Sequence, residues 1–147
     1  MSGYYGADGI PAISPAEAGE LDRMVAQDLA LQPMQLAENA GRNVAHLARI
    51  RFCGGDPRDH RIVVLVGAGF HGATAIVASR RLAAWGADVV TYLMLGDEGY
   101  SGLMRRQVDA LPQFGVAAQH VDMLLIEREP ELVIDGIFGA SHAVDAP

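Results

Sequence analysis

A short apolar run followed by closely spaced glycines most constrains the fold of this chain. Residues 62–66 (IVVLV) are five consecutive apolar side chains. They are too few for a helix and rich in β-branched types, and they predict a strand buried on both faces, as in parallel sheets. Gly67, Gly69 and Gly72 follow with the spacing G-x-G-x-x-G, and a helical pattern covers residues 73–85. A strand, a glycine turn and a helix together present backbone N–H groups to an anion, typically a phosphate.

The same pattern has a plain structural alternative, a tight strand-to-helix turn that binds nothing. The dinucleotide fingerprint expects an acidic residue about 20 positions further on, at the end of the next strand. Asp88 has about that spacing but begins the next strand, and Asp97 lies beyond the end of that strand. The fingerprint is therefore only half met, and both interpretations stay open.

Composition excludes several classes of protein. The 147 residues are half hydrophobic with a net charge of −7, which predicts one globular domain and argues against nucleic-acid binding. All eleven cationic residues are Arg, so the chain carries neither a Schiff-base lysine nor a Walker phosphate loop. The single Cys53 favours a reducing compartment. Since the sequence shows no signal peptide and no membrane-spanning run, we expect a cytoplasmic protein that binds no membrane.

The first half of the chain predicts an arm and two helices. Residues 1–13 are rich in glycine and predict a flexible N-terminal arm, whereas residues 14–147 predict a single domain. The segment Ser14-Pro15-Ala16-Glu17 predicts a helix start with a capping box. A repeat of apolar residues every fourth position then predicts one buried stripe. This stripe consists of Leu21, Val25 and Leu29.

The second helix is expected to begin at Pro33 and to carry its own apolar stripe. Within this helix, Ala40-Gly41 leaves one face almost bare. A bare face indicates either the close approach of another backbone or a weak point that costs about 1 kcal/mol of helix propensity. The predicted stripe consists of Leu36, Ala40, Val44 and Leu47.

The remaining elements alternate between strands and helices and define the fold class. Further strands are expected at residues 88–95 and 115–118 and within ELVIDGIFGA, residues 131–140. This order predicts an α/β protein, a Rossmann-like three-layer α/β/α sandwich with a mainly parallel sheet and the fourth strand beside the first. Ligands of such sheets bind beyond the carboxyl ends of the strands. The turns that follow the first and fourth strands are therefore the candidate site.

Two polar residues in these turns could carry chemistry. Asp135 interrupts the apolar run LVIDGIF, which predicts a buried carboxylate, and such a group is costly unless it is paired, hydrogen-bonded or bound to a cation. It either caps backbone N–H groups at the strand end or serves as a cation ligand or acid/base group facing the Gly67 loop. His71, inside the glycine loop, is the other candidate, although a loop histidine without nearby His or Cys is also typical of a plain surface residue.

Four segments together resemble a known family. ISPAEAGELDRMVAQ, QLAENAGRNVA, VVLVGAGFHGATAIVASRRLAAWGADV and LVIDGIFGA resemble, in that order, the YjeF N-terminal domain family of NAD(P)H-hydrate epimerases. The resemblance covers about residues 13–139, and its most specific parts are E-N-A-G at 38–41 and Asp-x-x-Phe-Gly at 135–139. It implies a Rossmann-like homodimer, an isomerase that interconverts the R and S epimers of hydrated NADH or NADPH in nucleotide repair. It also implies acid/base chemistry at the hydrated carbon and a bound potassium ion.

The family's glycine loop reads G-x-G-N-N-G-G-D-G, and this chain departs from it. Phe70 and His71 stand at the two Asn positions, and Ala73, Thr74 and Ala75 replace Gly, Asp and Gly. The resemblance implies potassium binding by Asp135, with His71 at the other ligand position. Phe cannot coordinate a cation, and His is a poor substitute because hard cations prefer oxygen ligands. The implied substrate-binding residues are Gly67, Gly69, Phe70, His71, Gly72, Ala73, Thr74, Gly139, Ala140 and Ser141.

The family pattern also continues beyond the last residue of this sequence. In the family, a later strand ending in Asp-x-Pro-Ser-Gly supplies a catalytic Asp, and this sequence ends at Pro147. We therefore expect a domain that lacks its C-terminal part, with an apolar edge strand that invites pairing, and the catalytic residue stays unassigned. Three hypotheses remain: an active epimerase, a catalytically degenerate nucleotide-binding or scaffold module of the same fold, and an inactive remnant that folds poorly.

Overall fold

The computed structural model describes residues 13–96, 99–100, 102–123 and 129–139. After two leading helices, strands and helices alternate as far as the third strand, as the sequence predicts. Between the third and fourth strands the described residues form a short 3-10 turn, Val121–Met123. The helices are α1 (Pro15–Asp28), α2 (Pro33–Arg51), α3 (Gly69–Ala84) and α4 (Gly102–Ala110). The strands are β1 (Arg61–Val66), β2 (Asp88–Leu93), β3 (Ala117–His120) and β4 (Leu132–Gly136).

The four strands form one parallel sheet in the order β3-β2-β1-β4. β4 pairs with β1 so that Ile62 lies opposite Leu132 and Leu65 lies opposite Asp135. The predicted Rossmann-like α/β fold, with the fourth strand beside the first, is confirmed. The third strand begins two residues later than predicted, because Gly115 has a φ of +71° and ends a short 3-10 turn before the strand.

The two faces of the sheet have different surroundings. On one face, Ile62, Val64 and Val66 of β1 are fully buried in a core that α2 and α3 complete. On the opposite face, β1 and β2 contribute a smaller cluster around Val90 and Tyr92. Strand β4 is less covered on that second face, since Val133 is 49% exposed. The carboxyl end of β4 therefore lies at a partly open edge of the sheet.

Helix α2 packs against α3 through small residues, which confirms the predicted close approach at Gly41. A Cβ atom on Gly41 would lie 2.6 Å from the carbonyl oxygen of Thr74 and 2.6 Å from Cγ1 of Val77. Such distances are too short for real contacts, so this crossing requires glycine. The buried residues of α2 are Ala37, Gly41, Ala45 and Ala48.

The predicted apolar stripes of the leading helices were only partly correct about burial, since Val25 is half-buried and Val44 packs against the core. Leu21 on α1 and Leu29, directly after that helix, are exposed, the latter by 65%, and on α2 Leu47 is 57% exposed. The reason on α2 is geometric: helices that approach this closely accommodate alanine and glycine, and the larger apolar side chains turn away. No helix in the described part of the chain is both long and apolar enough to cross a membrane.

A polar network links three helices beside this packing. Arg80 of α3 donates to Glu38 of α2 and, at 2.8 Å, to Oε1 of Gln107 on α4, while Arg81 donates to the other oxygen of Glu38 at 3.2 Å. Partial burial by itself raises the pKa of Glu38, but the hydrogen bonds and charges of the two arginines outweigh it and lower the pKa overall. This glutamate, part of the E-N-A-G motif, thus joins α2 to α3.

We predict that Gly41→Ala destabilises the fold by about 1–3 kcal/mol, the usual cost of overpacking a close contact. Thermal or urea unfolding would measure the loss. Gly19→Ala is the matched control, because Gly19 also lies in a helix but has no atom within 4 Å of its hypothetical Cβ. The control should cause no loss, since alanine has the higher helix propensity. Equal stability of the two variants would contradict the close packing of α2 on α3.

Candidate functional site

The turns after β1 and β4 contact each other directly through their backbones. The Gly67 N–H donates to the carbonyl oxygen of Gly136 at 3.1 Å. A Cβ on Gly67 would lie 2.8 Å from Cα of Ile137, so no side chain fits between the two turns. The structure thus brings together the two segments that the sequence singled out, at the carboxyl edge of the parallel sheet.

The glycine loop leads directly into α3, which begins at Gly69, four residues before the predicted start. Gly69 has a φ of +78°, in the left-handed region that favours glycine. The residue before it, Ala68, provides no side-chain cap for the first helical N–H groups. Because Gly69, Phe70 and His71 are exposed, this helix end can offer backbone N–H groups to an anion.

The remaining loop residues expected to contact substrate are less accessible. Gly67, Gly72 and Ala73 are buried, and a Cβ on Gly72 would lie 2.9 Å from the carbonyl carbon of Gly67. Thr74 lies inside α3, and its Oγ1 is buried without a hydrogen-bond partner among the described residues. The accessible part of the loop therefore consists of Ala68 and the first three residues of α3.

The imidazole of His71 lies against the backbone of the β4 turn. A Cβ on Gly139 would lie 2.8 Å from Cε1 of His71 and even closer to Nδ1. The rings of Phe70 and His71 are perpendicular, with centroids 6.0 Å apart. His71 thus connects the glycine loop to Gly139, while Ala140 and Ser141, the other expected contacts, lie outside the described residues.

Asp135 is not the buried carboxylate that its apolar neighbours predict. Its side chain is exposed, and its Oδ1 accepts a hydrogen bond of 2.9 Å from the Ile137 N–H. The expectation failed because β4 is an edge strand whose alternate residues, Val133 and Asp135, face the less covered side of the sheet. The hydrogen bond matches the capping interpretation and leaves Oδ2 accessible.

The side chains at the implied ligand positions are a poor fit for a potassium ion. Hard cations are bound by several oxygen ligands at once. Here the expected positions offer one carboxylate, Asp135, whose Oδ1 already accepts a hydrogen bond, and the nitrogen of His71. In the described ranges no group of three or more His, Cys, Asp or Glu could hold a metal ion. We therefore assign no chemical step to potassium.

An apolar cavity of about 190 Å³ lies beside the glycine loop, and the sequence did not predict it. The aromatic ring of Phe70, at a position where the resembled family has Asn, forms part of its wall. That substitution was a signal for an apolar site, although only the packing of α2, α3 and α4 shows where the cavity lies. The lining residues are Pro33, Met34, Ala37, Gly69, Phe70, Ala73 and Met104.

Comparison with known proteins gives one family. The model for the family described as YjeF-related protein N-terminus matches residues 33–146. The chain is 33% identical over 123 residues to the NAD(P)H-hydrate epimerase of Dehalogenimonas lykanthroporepellens, covering 83% of this chain and 49% of that protein. It is 29% identical over 136 residues to the bifunctional NAD(P)H-hydrate repair enzyme Nnr of Moorella thermoacetica, covering 86% of this chain and 25% of that protein.

A solved structure shares the fold. The crystal structure of yeast ynu0, YNL200c, matches with a TM-score of 0.78 at 23% identity and covers 94% of this chain and 60% of that one. This chain spans about half or less of the length of the curated relatives it matches.

We predict that Gly139→Ala and His71→Ala are energetically coupled, because the new methyl group collides with the imidazole only when the imidazole is present. Gly139→Ala should destabilise the wild type but cost little in the His71→Ala background. Urea unfolding of the four proteins should give a coupling free energy of about 0.5–3 kcal/mol. Gly96→Ala, in a loop with nothing within 4 Å of its Cβ position, should show no coupling to His71. Additive effects of the first pair would contradict the contact between the two turns.

Proposed function

This chain belongs to the family of YjeF-related protein N-termini, and on that basis we propose that it binds hydrated NADH or NADPH and interconverts the two epimers of the hydrated ring. The observation that carries the proposal is the backbone contact between the Gly67 turn and the β4 turn, with the first turn of α3 exposed beside it. The relative named NAD(P)H-hydrate epimerase supports the same substrate.

The glycine loop would bind the pyrophosphate of the dinucleotide. The backbone N–H groups at the start of α3 lie at the positive end of a 16-residue helix, which favours negative charge. No Lys is present anywhere in the sequence, so backbone groups rather than an ammonium would hold the phosphates. The exposed Gly69 has no side chain and nothing within 4 Å of its Cβ position, so a ligand could approach the main chain closely there.

Asp135 is the candidate for moving protons. The hydrated carbon is bonded to the ring nitrogen, so loss of its hydroxyl as water leaves a planar iminium that water re-enters from either face. The protonated carboxyl of Asp135 can donate the proton with which the hydroxyl leaves as water, and the resulting carboxylate can take a proton from the entering water, so the acid is restored and atoms and charge balance. The hydrogen bond from Ile137 to Oδ1 would fix the carboxyl orientation and leave Oδ2 for the substrate.

A second candidate function, nucleotide binding without turnover, is favoured by the altered glycine loop. Phe70 replaces a polar residue of the resembled family, and Thr74 is enclosed within α3 rather than offered to a ligand. Both changes are in side chains, so they leave in place the backbone N–H groups of the exposed helix end that would hold phosphate. The homodimer implied by the resemblance belongs to the same proposal, and sedimentation would test it.

We predict that hydrated NADPH stabilises the chain against thermal unfolding, by roughly 2.7 kcal/mol at 100 times the dissociation constant. We also predict that the chain interconverts the two epimers, measured by chromatography starting from one pure epimer. Asp135→Asn should reduce the rate at least tenfold while leaving the stabilisation by ligand in place, because it removes the proton acceptor and keeps the shape.

Asp88→Asn is the matched control for this experiment. Asp88 is an exposed strand aspartate at the opposite, amino end of β2, where it pairs with Arg61 at 2.7 Å. Its substitution should leave epimerisation unchanged. Stabilisation by ligand without epimerisation in the wild type would select the second candidate, and no stabilisation at all would contradict both.

A further inference from the structure

We propose that the apolar cavity beside Phe70 seats the adenine ring of the dinucleotide, on the opposite side of the glycine loop from Asp135. The inference rests on the proposed function, since it assumes an adenine dinucleotide as ligand. It adds the orientation of the dinucleotide in the site, and it assigns to Phe70 the role of contacting the adenine ring.

The size of the cavity limits its occupant to one ring system. Its volume is about 190 Å³, and an engineered apolar cavity of about 150 Å³ is known to hold benzene. A whole dinucleotide is far larger than this, and one heteroaromatic base fits. The cavity is therefore a subsite for one end of the ligand.

The lining selects an aromatic ring over the hydrated one. Every lining side chain is apolar, and Phe70, 44% exposed, offers an accessible aromatic face. Met34 and Met104 supply thioethers, which contact aromatic rings favourably. The hydrated nicotinamide ring carries a hydroxyl and a carboxamide, and burying these without hydrogen-bond partners is costly. Adenine buries two flat faces and can keep its polar edge toward the open mouth, as bases stacked on aromatic side chains do.

The position of the cavity fits the rest of the ligand. Gly69 and Phe70 line the cavity and also form the exposed start of α3, so a base in the cavity places its phosphates next to that helix end. Asp135 pairs with Leu65, which faces the side of the sheet opposite to the α2–α3 core. A dinucleotide whose pyrophosphate lies at the glycine loop would thus reach the cavity with one ring and Asp135 with the other.

The experiment compares the binding of two half-ligands, adenosine monophosphate and nicotinamide mononucleotide, by calorimetry. Phe70→Ala should weaken the affinity for adenosine monophosphate about 5- to 100-fold, the usual loss when a stacking aromatic side chain is removed. The affinity for nicotinamide mononucleotide should change less than twofold. Phe70→Leu, which keeps apolar bulk without the aromatic face, should give an intermediate loss. Phe114→Ala is the matched control: Phe114 is 45% exposed and lies outside the cavity, so neither ligand should be affected.

Three results would overturn the inference. The first is a Phe70→Ala variant that loses affinity only for nicotinamide mononucleotide. The second is an equal loss of affinity for adenosine monophosphate in Phe70→Ala and Phe114→Ala. The third is a wild type that does not bind adenosine monophosphate. The first two leave the proposed function standing, because epimerisation is measured separately on the intact substrate. Conversely, if the wild type binds adenosine monophosphate through Phe70 but does not epimerise the hydrate, the result would support the adenine subsite and contradict the proposed reaction. A thermal melt of each variant verifies that it is folded.

Discussion

The candidate site depends on one constraint, the absence of space for any side chain where the β1 and β4 turns meet. Gly67 and Ile137 approach so closely that a Cβ would collide with backbone atoms, and backbone atoms cannot move aside as a flexible side chain can. The parallel pairing of β4 with β1 sets this meeting point. The Gly67 turn leads from this point into α3, whose first residues are exposed. Phosphate binding at this loop would therefore depend on main-chain geometry. Replacement of the loop side chains leaves that geometry intact.

The same preference for small residues explains the cavity. Gly41 and its neighbours let α2 approach α3 until their backbones nearly touch. Two alanines, Ala37 and Ala73, lie at the cavity wall where larger side chains would fill the space. Around them, Met34, Phe70 and Met104 keep the wall apolar. The close helix packing and the open apolar cavity thus lie along the same contact between α2 and α3. Side chains along this contact change from small to large over about one helical turn.

The fold was predictable because local sequence patterns identify its helices and strands. The predictions of side-chain burial that were wrong concern residues whose burial depends on neighbours distant in sequence. The apolar run of β1, the glycine spacing after it and the capped start of α1 each identify an element without knowledge of the rest. Burial is different. Leu47 repeats with an apolar period but is displaced from the interface by the glycine and alanine face. Asp135 lies among apolar residues but belongs to an edge strand. The cavity follows from the joint packing of three helices, which no single segment encodes.

Binding and chemistry place unequal demands on this architecture. Phosphate binding would use N–H groups fixed by a helix that packs against the sheet and two other helices, so it would withstand side-chain replacements such as those at Phe70 and Thr74. Proton transfer would depend on one carboxylate on a partly open edge strand, oriented by a single hydrogen bond from Ile137. Reaction rates respond steeply to such positioning, and a small misplacement can cost a hundredfold. On the proposed function, the chain could therefore lose turnover and still bind the nucleotide, and substitution of Asp135 would separate the two properties.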